Sequence, residues 1–380
     1  MSRRPAPRFS ESRRRLLASL AGTLALAACG GGGSPSASGS SGTPGNPPPR
    51  LRVSGKDLLG PDGQPVKLRG WNWGRWGLAQ PTDGADNATQ GATCVRIPLR
   101  WWGRYGTPGV DSRDDAQTAT AGIDGDHLKI LDAMVAQASA AKLWIILFID
   151  SDCGQNGAQD ASEIAYCDPR GEYPNGHNFW TDPGVRARFI NVWRFVADRY
   201  KDTPYLGLFE PLPEPNPTSG TDADISAFYD EVMMAIRAAA PGVPFLLGPR
   251  SYGMKSAGAA YNAKWTDVVY TGNLFLHTGG THDENVADLG ARLQVLLDLH
   301  TSKQVPVFVQ QCGVQSGDDP DLSYLNALLS LLNGKGVGYT YWEYRDATNP
   351  DAYGVIYQDG QGGWIPKTAF LSTISGYLKA

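Results

Sequence analysis

From residue 66 to the C-terminus, short runs of apolar and β-branched residues alternate with longer segments whose apolar positions recur at spacings of three and four. The runs predict strands over Val66–Asn72, Thr93–Pro98, Leu143–Asp150, Tyr205–Leu212, Pro244–Pro249, Asn273–His277, Val305–Gln311 and Gly336–Tyr344. The periodic segments predict helices over His127–Ala140, Val185–Tyr200, Ile225–Ala240, Asn285–Thr301 and Leu322–Leu332. Near-continuous apolar strands separated by helices form a parallel sheet covered on its outer face, and eight of them close a (β/α)8 TIM barrel. A doubly wound open sheet is the alternative, but no Gly-rich phosphate turn follows the first strand. Leu51 to Lys67 predicts a small β-hairpin ahead of the barrel, turned at Pro61-Asp62-Gly63. The segment between the first two strands has little apolar periodicity, so the first outer helix is expected to be short or absent.

Residues 1–28 predict an address rather than structure. Ser12-Arg13-Arg14-Arg15-Leu16-Leu17 looks like a twin-arginine export signal, and Leu26-Ala27-Ala28-Cys29 looks like a lipoprotein box with Cys29 as the lipidated residue. The apolar stretch between them is too short for a permanent bilayer span. Gly30 to Pro49 contains only Gly, Ser, Pro, Ala, Thr and Asn, a composition that cannot bury a core, so residues 29–50 are expected to be a flexible tether and residues 51–380 the folded domain. The expected location is a bacterial membrane surface, facing the periplasm or the exterior.

The formal charge is −4, and because residues 1–28 carry six Arg and one Glu, the processed chain stands at −9. Such a balance offers nothing to hold a nucleic acid. Cys153 and Cys167 flank one polar loop and are candidates for a disulfide in an exported protein. Cys94 and Cys312 read as small core residues. No Cys or His spacing matches a metal site, no cofactor is called for, and a monomer is expected.

Polar and aromatic residues gather at the strand ends, the face on which barrel enzymes work. Trp71, Asn72, Trp73 and Trp76 follow the first strand, and Arg96, Arg100, Trp101 and Trp102 the second. Asp150 and Asp152 follow the third, Glu214 the fourth and His277 the sixth. Gln310 and Gln311 end the seventh; Trp342, Glu343, Tyr344 and Arg345 end the eighth. Flat aromatic faces stack on sugar rings while carboxylates and amides bond to hydroxyls, so the mixture suits a carbohydrate cleft. Glu214, wedged between Pro213 and Pro215 where the chain leaves a strand, is the candidate acid/base.

The order of these motifs resembles glycoside hydrolase family 5, the cellulase-like clan of eight-fold barrels. Gly63-Gln64-Pro65-Val66-Lys67-Leu68-Arg69-Gly70-Trp71-Asn72-Trp73 is similar to the family's first strand, and Val95-Arg96-Ile97-Pro98 to its second. Phe179-Trp180, Trp193 and Arg199-Tyr200-Lys201-Asp202-Thr203-Pro204 resemble the helix leading to the acid/base strand. The resemblance implies that Glu214 is the acid/base, that Arg96 supports the nucleophile position, and that Trp342 lines the sugar site. Four departures accompany it. Pro213 stands where the family has Asn, and Asp150 where it has His. The aromatic expected two residues beyond His277 falls at Gly279, and Gln311 stands at the nucleophilic Glu.

A glutamine cannot form the glycosyl ester of a retaining mechanism. Three readings follow. A divergent hydrolase of a β-glucan-like polysaccharide would keep Glu214 as general acid, with Asp150, Glu343 or Asp346 placed about 6.5–9.5 Å away to activate water for inversion. A substrate-assisted hydrolase of N-acetylated glycans would use the amide of Gln311 to orient an acetamido group. A pseudo-hydrolase would bind oligosaccharide without turnover. Trp71, Trp73, Arg96, Trp101, Asp150, His277, Trp342 and Glu343 are the expected substrate contacts.

Overall fold

The computed structural model describes residues 48–74, 78–100, 125–150, 183–215, 221–249, 261–346 and 350–380. The leader, residues 29–47 of the tether with Cys29, and Trp76, Trp101, Trp102, Asp152, Cys153, Cys167, Phe179 and Trp180 lie outside the described residues, as does the side chain of Asp150.

Eight parallel strands close a barrel: β3 (Arg69–Asn72), β4 (Cys94–Arg100), β5 (Trp144–Asp150), β6 (Leu206–Glu210), β7 (Phe245–Leu247), β8 (Val268–Phe275), β9 (Val307–Gly313) and β10 (Gly338–Tyr341), with β10 paired back onto β3. The hairpin β1 (Arg52–Ser54) and β2 (Asp57–Leu59) precedes them. The outer layer is α1 (Asp83–Thr89), α2 (Gly125–Ala140), α3 (Pro183–Tyr200), α4 (Asp222–Ala239), α5 (His282–Lys303) and α6 (Ser323–Gly334). After β10 a three-stranded sheet of β11 (Arg345–Asp346), β12 (Ile356–Gln358) and β13 (Trp364–Pro366) leads to α7 (Thr368–Lys379).

The barrel is therefore the expected one, with one displaced element. The sixth strand begins at Val268, not Asn273, because Gly272 is a paired residue inside it rather than a break. The first outer helix exists and is short, seven residues.

Helix starts follow local chemistry. Thr221 before α4 and Thr281 before α5 each accept from the backbone of the third helical residue, while Asp224 and Glu284 accept from the cap's own N–H. Each box satisfies two donors that the first turn would leave open. The inner face of α4 then buries Ile225, Phe228, Tyr229, Val232, Met233 and Ile236.

Side chains inside the barrel are layered. Leu68, Cys94, Trp144, Ile146, Leu208, Leu246, Val269 and Phe308 form an apolar floor, closed from below by Leu51 beside the hairpin. Above it lies a polar layer of Asn72, Arg96, Glu210, Thr271, Gln310 and Thr340, all buried. The opposite faces of the same strands pack on the helices, so each strand's period of two separates core from site. Behind β10, Arg345 forks onto Asp83 of α1 (Nε–Oδ2 2.8 Å, Nη2–Oδ1 2.5 Å), tying the small sheet to the first helix.

Under that sheet Lys367 donates to Ser316 Oγ at 2.8 Å and to the carbonyl of Ala352 at 2.7 Å. Burial lowers its pKa to about 8, against the opposing pull of Asp346, Asp351 and Glu343. The unfolded chain therefore binds more protons from about pH 8 up to the ordinary lysine value of about 10.4, so this group makes stability rise with pH across that window. Lys367→Met is expected to flatten the rise. Urea-unfolding midpoints of both proteins below and above the window measure it, and equal slopes would exclude the linkage.

Candidate active site

The site is built around one guanidinium. Strand alternation turns Arg96 inward, where it is completely buried and lies 3.4 Å over the ring of Phe148. Its Nε and Nη2 donate to Glu210 at 2.6 and 2.8 Å, and its Nη1 donates to Asn72 Oδ1 at 2.8 Å. Burial pushes the Glu210 carboxyl upward while Arg96 draws it back. A bidentate pair compensates desolvation that an isolated buried charge could not bear.

Strand β9 carries a one-residue bulge. Val309 pairs with Gly272 and Gln311 with Asn273, while on the other side Tyr339 and Tyr341 pair with Val309 and Cys312. The extra residue lets Gln310 and Gln311 both turn inward while Val309 and Cys312 stay in the outer core. A bulge takes backbone groups out of the ladder, and neighbouring side chains satisfy them here. Gln310 N–H donates to Thr271 Oγ1 at 3.0 Å, and its carbonyl accepts from Asn72 Nδ2 at 3.0 Å and Thr340 Oγ1 at 2.5 Å.

Beyond β6 the segment Pro211-Leu212-Pro213-Glu214-Pro215 has few N–H donors, and helix side chains serve its carbonyls. Trp193 Nε1 donates to Pro211 O at 2.9 Å, and the Tyr229 hydroxyl to Leu212 O at 3.2 Å and Gly248 O at 3.0 Å. Glu214 takes a left-handed backbone, φ +49°. That conformation costs a non-glycine residue about 1–2 kcal/mol and is disfavoured again by the following proline. The turn holds its carboxylate against Asn273, whose Nδ2 donates to Oε1.

Gln311 closes the chain. One amide orientation satisfies both neighbours: its oxygen accepts from Arg96 Nη1 at 3.1 Å and its nitrogen donates to Glu214 Oε1 at 3.2 Å. Arg96, Gln311 and Glu214 thus meet at the C-terminal mouth of the barrel, with Gln311 9 % and Glu214 6 % exposed.

Other expected contacts lie elsewhere. Because Asn72 faces inward, Trp71 and Trp73 face the helices and cannot stack on a sugar. Trp71 packs on Tyr341 and Tyr344 at 5.9 and 5.1 Å, and Trp73 Nε1 donates to Asn87 at 2.7 Å. His277 stands past the end of β8, 67 % exposed, with Nδ1 3.5 Å from Asp288. On β8 itself it is Asn273 whose side chain reaches Glu214, with Phe275 two residues beyond it at the end of the strand. Glu343 is buried against Gly74, whose φ of +53° and missing Cβ leave room for the carboxylate. Asp346 is equally buried, and both acids act on Lys367. Trp342 is half-buried just past β10, its N–H donating to Cys312 O at 2.7 Å.

Glu210 and Asn273 are the members that residue-by-residue reading passes over, and Asn72, named at the end of the first strand, is not among the expected contacts. A carboxylate ending the otherwise apolar run Leu206-Gly207-Leu208-Phe209 was the available signal, since a buried arginine needs a partner. Among the described residues no group of three or more His, Cys, Asp or Glu could hold a metal ion.

The site thus sits at the C-terminal mouth of a parallel (β/α)8 barrel, with Glu214 beyond β6 and Arg96 of β4 both reaching Gln311 of β9. The model of the family Cellulase (glycosyl hydrolase family 5) matches residues 59–348, and the chain belongs to that family. No curated protein sequence matches it. Among solved structures it is similar to an endogalactoceramidase, with TM-score 0.65, 17 % identity and coverage of 86 % of this chain and 84 % of that one. It is also similar to an endoglucanase of the hyperthermophile Thermotoga maritima, with TM-score 0.60, 18 % identity and coverage of 81 % and 96 %. The catalytic domain of a Thermobifida fusca endoglucanase gives TM-score 0.58, 19 % identity and coverage of 87 % and 97 %. These likenesses show a shared fold.

Trp73→Phe is expected to cost about 1–3 kcal/mol of stability by leaving buried Asn87 Oδ1 unpaired, with no change in any affinity for oligosaccharides. Urea unfolding and calorimetric titration check the two halves. A loss of affinity at unchanged stability would return Trp73 to the cleft.

Proposed function

We propose that this protein hydrolyses O-glycosidic bonds of a β-glucan-like polysaccharide, with Glu214 as general acid/base and Gln311 in the place of the nucleophile. The observation that carries this reading is the hydrogen-bonded chain Arg96–Gln311–Glu214 at the barrel mouth. It joins the acid to the position where a nucleophile would sit and gives that position a cation. The Thermotoga maritima enzyme, solved in complex with mannotriose and with cellobiose, supports an oligosaccharide of this class as substrate.

A second reading, oligosaccharide binding without turnover, is favoured by the amide itself. A neutral group at position 311 cannot form a glycosyl ester. Of the candidates for the inverting route, Glu343 and Asp346 are both 1 % exposed and sit with Lys367, and the side chain of Asp150 lies outside the described residues.

Gln311→Glu separates the two readings. The new carboxylate would be paired by Arg96, and its charge beside Glu214 would raise the acid's pKa, the arrangement a retaining pair needs. Activity on soluble β-glucan is expected to rise on the order of a hundredfold and to disappear again in the double variant with Glu214→Gln. It should stay below that of a complete site, because Pro213 supplies no side-chain donor to the sugar. A silent Gln311→Glu protein that still binds oligosaccharide would establish the binding reading.

We further propose export and anchoring through Cys29, supported by the Leu26-Ala27-Ala28-Cys29 box and the tether that follows it. Mass spectrometry of the mature N-terminus should find lipid on Cys29, and Cys29→Ser should release the chain from membranes. A mature wild-type chain without lipid would refute the anchor.

A further inference from the structure

We propose that Gln311 is itself a substrate: the cleft hydrolyses its side-chain amide and so generates the carboxylate that a retaining mechanism requires. The inference rests on the hydrolase reading above for its purpose, and on geometry alone for its chemistry.

Amide hydrolysis needs a donor at the carbonyl oxygen, a base for the attacking water and an acid for the departing nitrogen. Arg96 Nη1 stands 3.1 Å from the amide oxygen, and Glu214 Oε1 stands 3.2 Å from the amide nitrogen. The guanidinium is fixed by Glu210 and Asn72, so it is already aimed where negative charge develops. Water from the cleft attacks Cδ and gives a proton to Glu214, while the carbonyl π pair moves onto the oxygen facing Arg96. The C–N bond then breaks, the pair on oxygen re-forms the carbonyl, and the Glu214 proton passes to nitrogen. Ammonia leaves, takes the proton of the new acid and departs as ammonium. One water is consumed, one amide becomes one carboxylate, and no oxidant or cofactor is required.

The neighbouring residue provides an internal contrast. Gln310 is on the same strand and also faces inward, yet its Oε1 has no hydrogen-bond partner among the described residues and the residue is 1 % exposed, against 9 % for Gln311. It has neither the polarising cation nor comparable access to water. Ordinary deamidation would not prefer position 311 so strongly; a built site would.

The test uses the full chain, freshly purified and held at neutral pH in water labelled with heavy oxygen, with peptide fragmentation distinguishing positions 310 and 311. Conversion at Gln311 is expected on the order of a hundredfold faster than at Gln310, with one labelled oxygen incorporated. Glu214→Gln, checked for a native melting transition, should slow it to the rate of Gln310, and so should unfolding the wild type in urea. Absence of conversion in the folded chain, conversion no faster than at Gln310, or conversion indifferent to both controls overturns the proposal. The hydrolase reading is judged separately by Gln311→Glu. An inactive variant beside a wild type that converts would sink the glucanase assignment and leave the self-processing standing; an active variant beside a wild type that never converts would do the reverse.

Discussion

A buried arginine in the upper half of the barrel is the constraint around which the site is organised. Arg96 carries a full charge at a place with no access to water, and such a charge persists only when its donors are all engaged. Glu210 neutralises it from β6, Asn72 accepts from it on β3, and Gln311 accepts from it on β9. One side chain thereby sets the relation of four strands at their C-terminal ends. Removing its partner Glu210 would leave an uncompensated interior charge, a change costing about 3–5 kcal/mol.

The same demand for satisfied polar groups explains the shape of β9. A regular strand would send Gln310 inward and Gln311 outward into the apolar layer between barrel and helices. The bulge removes that conflict, and Asn72, Thr271 and Thr340 take up the backbone groups that the bulge releases. Polar residues on three strands are thus accounted for by a single irregularity in a fourth. Position 311 reaches the mouth because the strand is bulged, and it is held there because Arg96 and Glu214 grip opposite ends of its amide.

Glu214 is positioned by rigidity instead of by a ladder. Three prolines within five residues leave little conformational freedom, and Trp193 and Tyr229 hold the segment's carbonyls from the helices behind. The left-handed backbone at Glu214 is an unfavourable local state that the surrounding contacts over-determine, as is common where a side chain must be aimed. Whether position 311 bears an amide or a carboxylate, this frame is built for an acid facing a paired group across a short gap.

Periodicity alone determined the barrel, because eight apolar runs separated by amphipathic helices leave few other ways to bury both faces of a sheet. It also placed Glu214, Arg96 and Gln311 at the ends of recognisable strands, while the parts expected of Arg96 and Gln311 came from the resemblance to glycoside hydrolase family 5. The division of labour among the aromatics was decided by tertiary structure. Trp71 and Trp73 look like sugar platforms in the sequence, but the inward turn of Asn72 toward Arg96 forces both outward. His277 looked like the end of a strand beginning at Asn273; the strand in fact begins at Val268, Gly272 pairs with Val309 of β9 inside it, and Asn273 takes the place beside Glu214. Local sequence records which residues are apolar and how they repeat. Which polar residue meets which across a barrel depends on register and on a bulge, and those are settled only when every buried donor and acceptor finds its partner.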